Sequence, residues 1–158
     1  MRTALLLSVF AITGALLAES PEEAFVELID AFYEGDAYIV ESGLSSSSLD
    51  MIDMMLMMVK MQPDQAAAEL SEGLQVPVTG EELVNWTATD FIDVFINSPG
   101  IKDELPPRED IAVTGSEVNG DTGVVYLTVM DYPEAIPIAM VLECDGWKLS
   151  DEVVGSEL

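Results

Sequence analysis

Histidine is absent from the 158 residues, cysteine occurs once, and Lys and Arg together number 5 against 30 Asp and Glu. Each shortage removes a class of chemistry. Without imidazole there is no Ser-His-Asp triad, no Cys-His pair and none of the usual zinc sites. The lone Cys144 has no intramolecular disulfide partner, and with no cationic neighbour in sequence to hold a thiolate it reads as a packed thiol, not a nucleophile. A formal charge of −25 excludes nucleic acid as a natural partner, because binding DNA or RNA needs a cationic surface, and it argues against anionic lipid surfaces. No glycine loop of the phosphate-cradling kind and no EF-hand calcium loop is present. The acid excess describes a strongly hydrated, self-repelling surface; a diffuse cation-binding surface is the sharper reading of the same composition.

Long apolar runs are scarce as well. The run from Ala4 to Ile12 follows Arg2 and leads to small residues at Ala15 and Ala18, the parts of a secretory signal peptide over 1–18. A membrane span needs about 20 apolar residues, and this run is short and meets Glu19 at once. The expectation is therefore a protein exported to the periplasm or the extracellular space, with 19–158 as one globular domain and no membrane span in the mature chain. About 140 residues suffice to bury roughly two thirds of the unfolded surface in one core.

What is present is helical first and stranded last. Ser20-Pro21-Glu22-Glu23 combines an N-cap, a proline at the first helical position and a glutamate three after the cap. Phe25, Leu28, Ile29 and Phe32 then give one apolar face as far as Glu34. Gly35-Asp36 breaks that helix, and Ala37 to Ser42 forms another turn or two. Ser47, with Asp50 three later, is the expected cap of a helix through Met51 to Met61, which holds six methionines. Met51, Met54, Met55 and Met58 share one face there. A thioether site for cuprous copper, or a pliable surface for apolar partners, are the functional readings; a nearly fully buried helix is the preferred one. Pro63-Asp64 starts a further helix that Gly73 caps. Thr79-Gly-Glu-Glu82 is a capping box before Leu83, Val84 and Trp86, and Asp90 to Ile96 carries Phe91, Ile92, Val94 and Phe95. Asn97-Ser-Pro-Gly100 stops this last helix, and Leu105 to Glu109 links it to strands. Asn85-Trp86-Thr87 matches the glycosylation acceptor pattern, a match that short sequences produce by chance.

From Ile111 to Val154 the pattern is an antiparallel meander of four strands. Asp145-Gly146 between apolar-alternating runs is a strong hairpin signal. With that pair at the tip, Cys144 faces Trp147 and Leu142 faces Leu149 on the buried side, while Glu143 faces Lys148 on the other. Pro137 cannot donate to a ladder and belongs at an edge or bulge. Around Asn119-Gly120-Asp121, a three-residue loop with Gly120 left-handed sets Val113 against Leu127 and Ile111 against Val129, which gathers the apolar side chains on one face. Asp131-Tyr-Pro-Glu134 is the turn into the third strand. Helices first and an antiparallel sheet last is an α+β order, with N-terminal helices packed on one face of a curved C-terminal sheet.

Several stretches carry a resemblance. The first helix ending in Glu34-Gly35-Asp36-Ala37, the strand Val118-Asn-Gly-Asp-Thr-Gly-Val-Val125 and the hairpin Cys144-Asp-Gly-Trp-Lys-Leu149 resemble the small exported NTF2-like (cystatin-like) domains, with their "GDxAxV" and "DGxWK" strand signatures. The methionine-rich middle, Leu49 to Gly73, is longer than that pattern. The resemblance implies a cone-like pocket between helices and concave sheet, used by different relatives for apolar ligands, catalysis or dimerisation. Relatives similar to ketosteroid isomerases use a carboxylate base with tyrosine and protonated-acid donors. Asp36, Asp90, Tyr33, Tyr38 and Tyr126 are residues of those types, and none stands in a matching motif. Three readings follow. The favoured one is a non-catalytic module binding a small apolar ligand or peptide, in a pocket lined by Phe32, Tyr33, Trp86, Phe95 and Tyr126. The second is a structural or interaction protein that uses the sheet face or the Met51 to Met61 helix to associate with itself, as a homodimer, or with a partner. The third is a small isomerase or cyclase working through a carboxylate and a tyrosine. No catalytic residue, metal ligand or cofactor is assigned.

Overall fold

The structure, a computed structural model, describes residues 19–151; the signal peptide expected over 1–18 lies outside the described residues. Seven helices, α1 (Pro21–Glu34), α2 (Ala37–Ser42), α3 (Ser46–Val59), α4 (Pro63–Leu74), α5 (Gly80–Asn85), α6 (Ala88–Asn97) and α7 (Pro99–Lys102), precede four strands, β1 (Ile111–Asn119), β2 (Thr122–Val129), β3 (Tyr132–Glu143) and β4 (Gly146–Leu149). The strands pair antiparallel in the order β1-β2-β3-β4, so the architecture is α+β, with helices packed on a sheet. Among the described residues no helix is long and apolar enough to cross a membrane.

Local chemistry explains most of the helix ends. Ser20 accepts from the Glu23 amide while the Glu23 carboxylate accepts from the Ser20 amide, and Thr79 with Glu82 repeats the arrangement on α5. These boxes satisfy amides that a helix start otherwise leaves unpaired. Elsewhere the ends differ from expectation. Ser45, not Ser47, caps α3 by accepting from the Ser48 amide, because Ser45 is held from behind: its amide donates to the Leu149 carbonyl. Gly73 lies inside α4, and the left-handed residue that ends the helix is Gln75, at φ 56°. α6 begins before Asp90, with Thr87 as the cap residue and Asp90 as its reciprocal partner.

α1 supplies Phe25, Leu28 and Ala31 to a core with Val125 and Leu127 of β2, Met140 of β3 and Trp147 of β4; Ala37 and Val40 of α2 and Ile92 and Ile96 of α6 join the same cluster. Alternation along β2 puts Gly123, Val125 and Leu127 on this inner side and Val124, Tyr126 and Thr128 on the outer one.

Three strand registers correct the sequence reading. Ile111 does oppose Val129 and Val113 does oppose Leu127, but the β1-β2 tip is Gly120-Asp121 between paired Asn119 and Thr122, and a bulge at Thr114 restores the register. Gly120 is left-handed, at φ 66°. The turn from β2 to β3 is Met130-Asp131, with Val129 paired to Tyr132, so Tyr132, Pro133 and Glu134 belong to the strand. At the last hairpin Leu142 opposes Trp147, Met140 opposes Leu149 and Lys148 opposes Val141. Cys144 and Asp145 form the tip, and Cys144 is exposed. Of the four side chains expected to be buried only Trp147 is fully so: Leu149 is half-buried, Cys144 and Leu142 are exposed, and Lys148, expected on the open face, is buried. The slip relative to expectation is two residues, which keeps the pairing parity. What fixes it is a tertiary contact: the Leu149 amide donates to the Gly43 carbonyl at 2.7 Å and the Ser45 amide to the Leu149 carbonyl at 2.9 Å. Segment 43–45 thereby covers the free edge of β4, the part of a sheet most in need of a partner. Among the described residues β4 reaches only Met140–Glu143 of β3, so no strand pairs with Pro137 on that side; the expected end of the last strand at Val154 lies outside the described residues.

The methionine helix is the largest correction. Only Leu56 of α3 is fully buried, with Leu49 and Ile52 half-buried against the core. Met51, Met54, Met57 and Met58 are 52%, 61%, 68% and 61% exposed.

Candidate functional site

The helix-facing side of the sheet, where the resemblance implies a cone-like pocket, is occupied by the packed side chains of Val125, Leu127, Met140 and Trp147. The five sequence-derived pocket residues are not gathered into one pocket, although Phe32 and Tyr33 meet edge to face at 6.2 Å between ring centroids. Phe32 and Phe95 both pack against the core, Phe95 stacking on Phe91 at 5.8 Å between ring centroids. The Tyr33 hydroxyl donates to the Pro106 carbonyl at 2.6 Å, and burial, ahead of the opposing pull of Arg108, raises its pKa. Trp86 stands between α5 and α6 in a depression with Thr79, Glu82 and Asp90, and its carbonyl accepts from the Lys60 ammonium. Tyr126 is on the outer face of the sheet, opposite Pro137 and Gly115. Asn85, of the glycosylation pattern, is exposed and donates to the Glu81 carbonyl.

Of the residues of isomerase type, Asp36, Tyr38 and Asp90 do meet, in a cleft of 520 Å³ with Glu34, Thr89 and Asp93. Their bonding gives them other work. Asp36 caps α2 by accepting from the Ile39 amide. Asp90 accepts from the amide and hydroxyl of Thr87, and those bonds, the backbone one first, hold its pKa below the ordinary value. A general base or a protonated donor needs the opposite shift.

The largest of the described clefts lies on the other side of α1. It has a volume of 770 Å³ and runs between α1, Ile39 of α2 and the Val113-Thr114-Gly115 bulge of β1. A bulge bends its strand and re-aims side chains, and a side chain at Gly115 would meet nothing within 4 Å; together they leave the space between strand and helix open. Val26, Ala31, Ile39 and Val113 supply apolar walls, and Glu22, Glu23, Glu27, Asp30 and Glu34 supply carboxylates. Two of the acids are committed. Glu23 belongs to the capping box, and Asp30 accepts from Arg108 Nε at 2.6 Å, while the same guanidinium donates to the Ile111 carbonyl and so ties β1 to α1 at one end of the cleft. Glu22, Glu27 and Glu34 neither cap the helix nor pair with Arg108. Outside this cleft, in the depression that Glu27 shares with Trp147 and Lys148, burial first, then the charges of Glu27 and Glu23, push the Glu19 pKa up.

The sequence signal for this site is the second face of α1. The helix shows apolar residues on one side and five acids with no Lys or Arg among its 14 residues, and that acidic side reads as plain solvated surface until β1 is laid beside it. Compared with protein-family models, with curated proteins and with solved structures, the chain matches none.

Proposed function

We propose that the chain is an exported, acidic binding module of the NTF2-like kind, and that the cleft between α1 and β1 takes an amphiphilic cation: a small molecule or peptide segment with an apolar body and an ammonium or guanidinium group. The observation that carries this is the pairing, in one 770 Å³ cleft, of an apolar floor with a carboxylate rim on which, among the described residues, Arg108 is the one cation that makes an ion pair. Its volume lies within the range of small-molecule sites, about 300–1,000 Å³. The first helix across a bulged antiparallel sheet supports the family reading, and the acid excess supports the choice of a cation. A rim carboxylate about 4 Å from a bound cation contributes about 1 kcal/mol at the dielectric of water and more where water is displaced. Three of them, with burial of an alkyl chain against Val26 and Ile39, suffice for a dissociation constant between about 1 mM and 1 µM.

The test is a fluorescence titration with a dansylated alkyl diamine. Saturable binding that weakens with salt, and that falls at least about tenfold in Val26→Lys and in the Glu27→Gln/Glu34→Gln pair, is the expected result. Val26 is half-exposed on a helix, so lysine there keeps the fold. Binding that is indifferent to all three substitutions would remove the cleft from consideration.

A further inference from the structure

Leu49, Ile52 and Leu56 of α3 face the protein and Met55 is half-buried, whereas Met51, Met54, Met57 and Met58 face water. Every large apolar side chain that α3 exposes is a thioether. Exposed methionine suits a pliable docking surface as well as a metal; what favours the metal here is the grouping of four exposed thioethers within about two helical turns, with two exposed aspartates on the preceding turn.

Met54, Met57, Met58 and Met61 stand at i, i+3, i+4 and i+7. That spacing makes a diamond on a helical surface, with neighbouring Cβ atoms about 5–6 Å apart, a separation that flexible methionine side chains close onto one ion. Met61 lies two residues past Val59, the last residue of α3, in a tightened turn whose amide donates to the Met58 carbonyl at 3.1 Å and which keeps the chain winding in the same direction. Its side chain is 79% exposed, and those of Met54, Met57 and Met58 are 61–68% exposed. Asp50 and Asp53, both exposed, stand four residues before Met54 and Met57 and supply negative charge beside the diamond. Lys60 is turned away, its ammonium held by the Trp86 carbonyl at 2.6 Å.

We infer that Met54, Met57, Met58 and Met61 form a thioether site for a soft monovalent metal ion, Cu(I) in chemical class. Thioethers are neutral, soft donors that favour Cu(I) over the hard ions calcium and magnesium, and the surrounding carboxylates offset the charge that a neutral ligand set leaves on the ion.

The experiment uses protein produced from the full sequence, with Cys144→Ser as the background because an exposed cysteine sulfur is itself a soft ligand. Among the described residues no group of three or more His, Cys, Asp or Glu is placed to hold a metal ion, so a carboxylate cluster does not compete. Cu(I) is titrated under ascorbate against a chromophoric Cu(I) chelator, with Ag(I) as an air-stable probe, and the methionine methyl resonances are followed by NMR. The expected result is one ion per chain, shifts confined to these four methionines, and no displacement by excess Ca²⁺. The Met54→Leu/Met57→Leu/Met58→Leu/Met61→Leu variant keeps volume and helix propensity. It should lose at least about tenfold in affinity, since removing even an outer-shell partner of a metal site costs that much. Binding that survives in the leucine variant overturns the site. So does absence of binding in the parent, and if the parent and the leucine variant then self-associate equally, the face is an apolar docking surface instead.

Discussion

Two glycines that touch across the α4-α7 contact should respond oppositely to alanine. A Cβ built on Gly100 would lie 2.3 Å from the Gly73 carbonyl oxygen, 2.9 Å from the Leu74 carbonyl carbon and 3.0 Å from its Cα. Non-bonded carbons settle at about 3.5–4.0 Å, so α7 or the end of α4 has to move by roughly 1 Å. The atoms struck are backbone and do not swing aside, which puts Gly100→Ala at the upper end of the overpacking range, about 3 kcal/mol. Gly73 is the other side of the same contact, yet a Cβ there would meet nothing within 4 Å. It lies within α4, so Gly73→Ala should stabilise by about 0.5–1 kcal/mol, the usual cost of glycine in a helix. Urea titration followed by the fluorescence of the two tryptophans, with thermal melting by circular dichroism, reads both. The expected shifts are roughly −6 to −12 °C for Gly100→Ala and +1 to +4 °C for Gly73→Ala. If Gly73→Ala instead lowers stability, glycine 73 is the left-handed cap that its sequence position suggests and the α4 terminus described above is wrong. A Gly100→Ala protein as stable as its parent would refute the close approach of α7.

Other outcomes follow from single contacts. Lys148→Met should destabilise by about 2 kcal/mol, since the buried ammonium donates to the Ser42 carbonyl at 2.6 Å and bonds of this charged kind are each worth about 1.5–3 kcal/mol; Asp145→Asn, at the exposed end of the same ion pair, should move the urea midpoint far less. Thr87→Ala should cost about 1 kcal/mol at neutral pH. The Asp90 pKa is lowered chiefly by its backbone bond to Thr87, so the stability from this pair is fully present above the ordinary aspartate value and is lost as pH falls through the folded one. Alanine at 87 keeps the amide that lowers the Asp90 pKa most and removes the hydroxyl bond, so the gap between the parent and Thr87→Ala denaturation curves should narrow below about pH 4 without closing, because the hydroxyl's bond from the Asp90 amide does not titrate; a gap that widens there would contradict the assignment. Cys144 should react stoichiometrically with an aromatic disulfide reagent in the native protein, and Cys144→Ser should leave the melting temperature unchanged; slow labelling that speeds up in urea would restore the buried thiol.

Local grammar explains what was legible. Ser20-Pro21-Glu23 and Thr79-Glu82 announce α1 and α5 because a capping box is complete within four residues and answers to no distant partner. The β1-β2 pairing of Val113 with Leu127 was legible for a different reason: burying one face allows only registers that keep the apolar sets together, so the pairing came out right although the loop length did not. The β3-β4 tip was not legible, because its register depends on hydrogen bonds from Leu149 to Gly43 and from Ser45 to Leu149, partners more than 100 residues apart. The α3 methionines misled because apolar periodicity means core only when something is there to cover it. The helix has apolar residues around most of its circumference, and the protein covers one side. The acidic cleft was illegible because half of it, the Thr114 bulge, is invisible in an alternation pattern that merely looks interrupted by Gly115.

The two surfaces proposed for cations differ in kind, and that difference makes them separable. At the α1 cleft the donors are carboxylates, which attract any cation through a field that salt screens over about 8–10 Å; selectivity there has to come from the apolar floor. On α3 the donors are thioethers, whose hold on a soft ion is coordinate bonding and changes little with ionic strength. An alkyl diamine should therefore leave the methionine resonances unmoved, and Ag(I) should leave the diamine isotherm unmoved. Should each displace the other in proportion to charge alone, neither site would exist as such, and the acid excess would be acting as a diffuse cation atmosphere over the whole molecule.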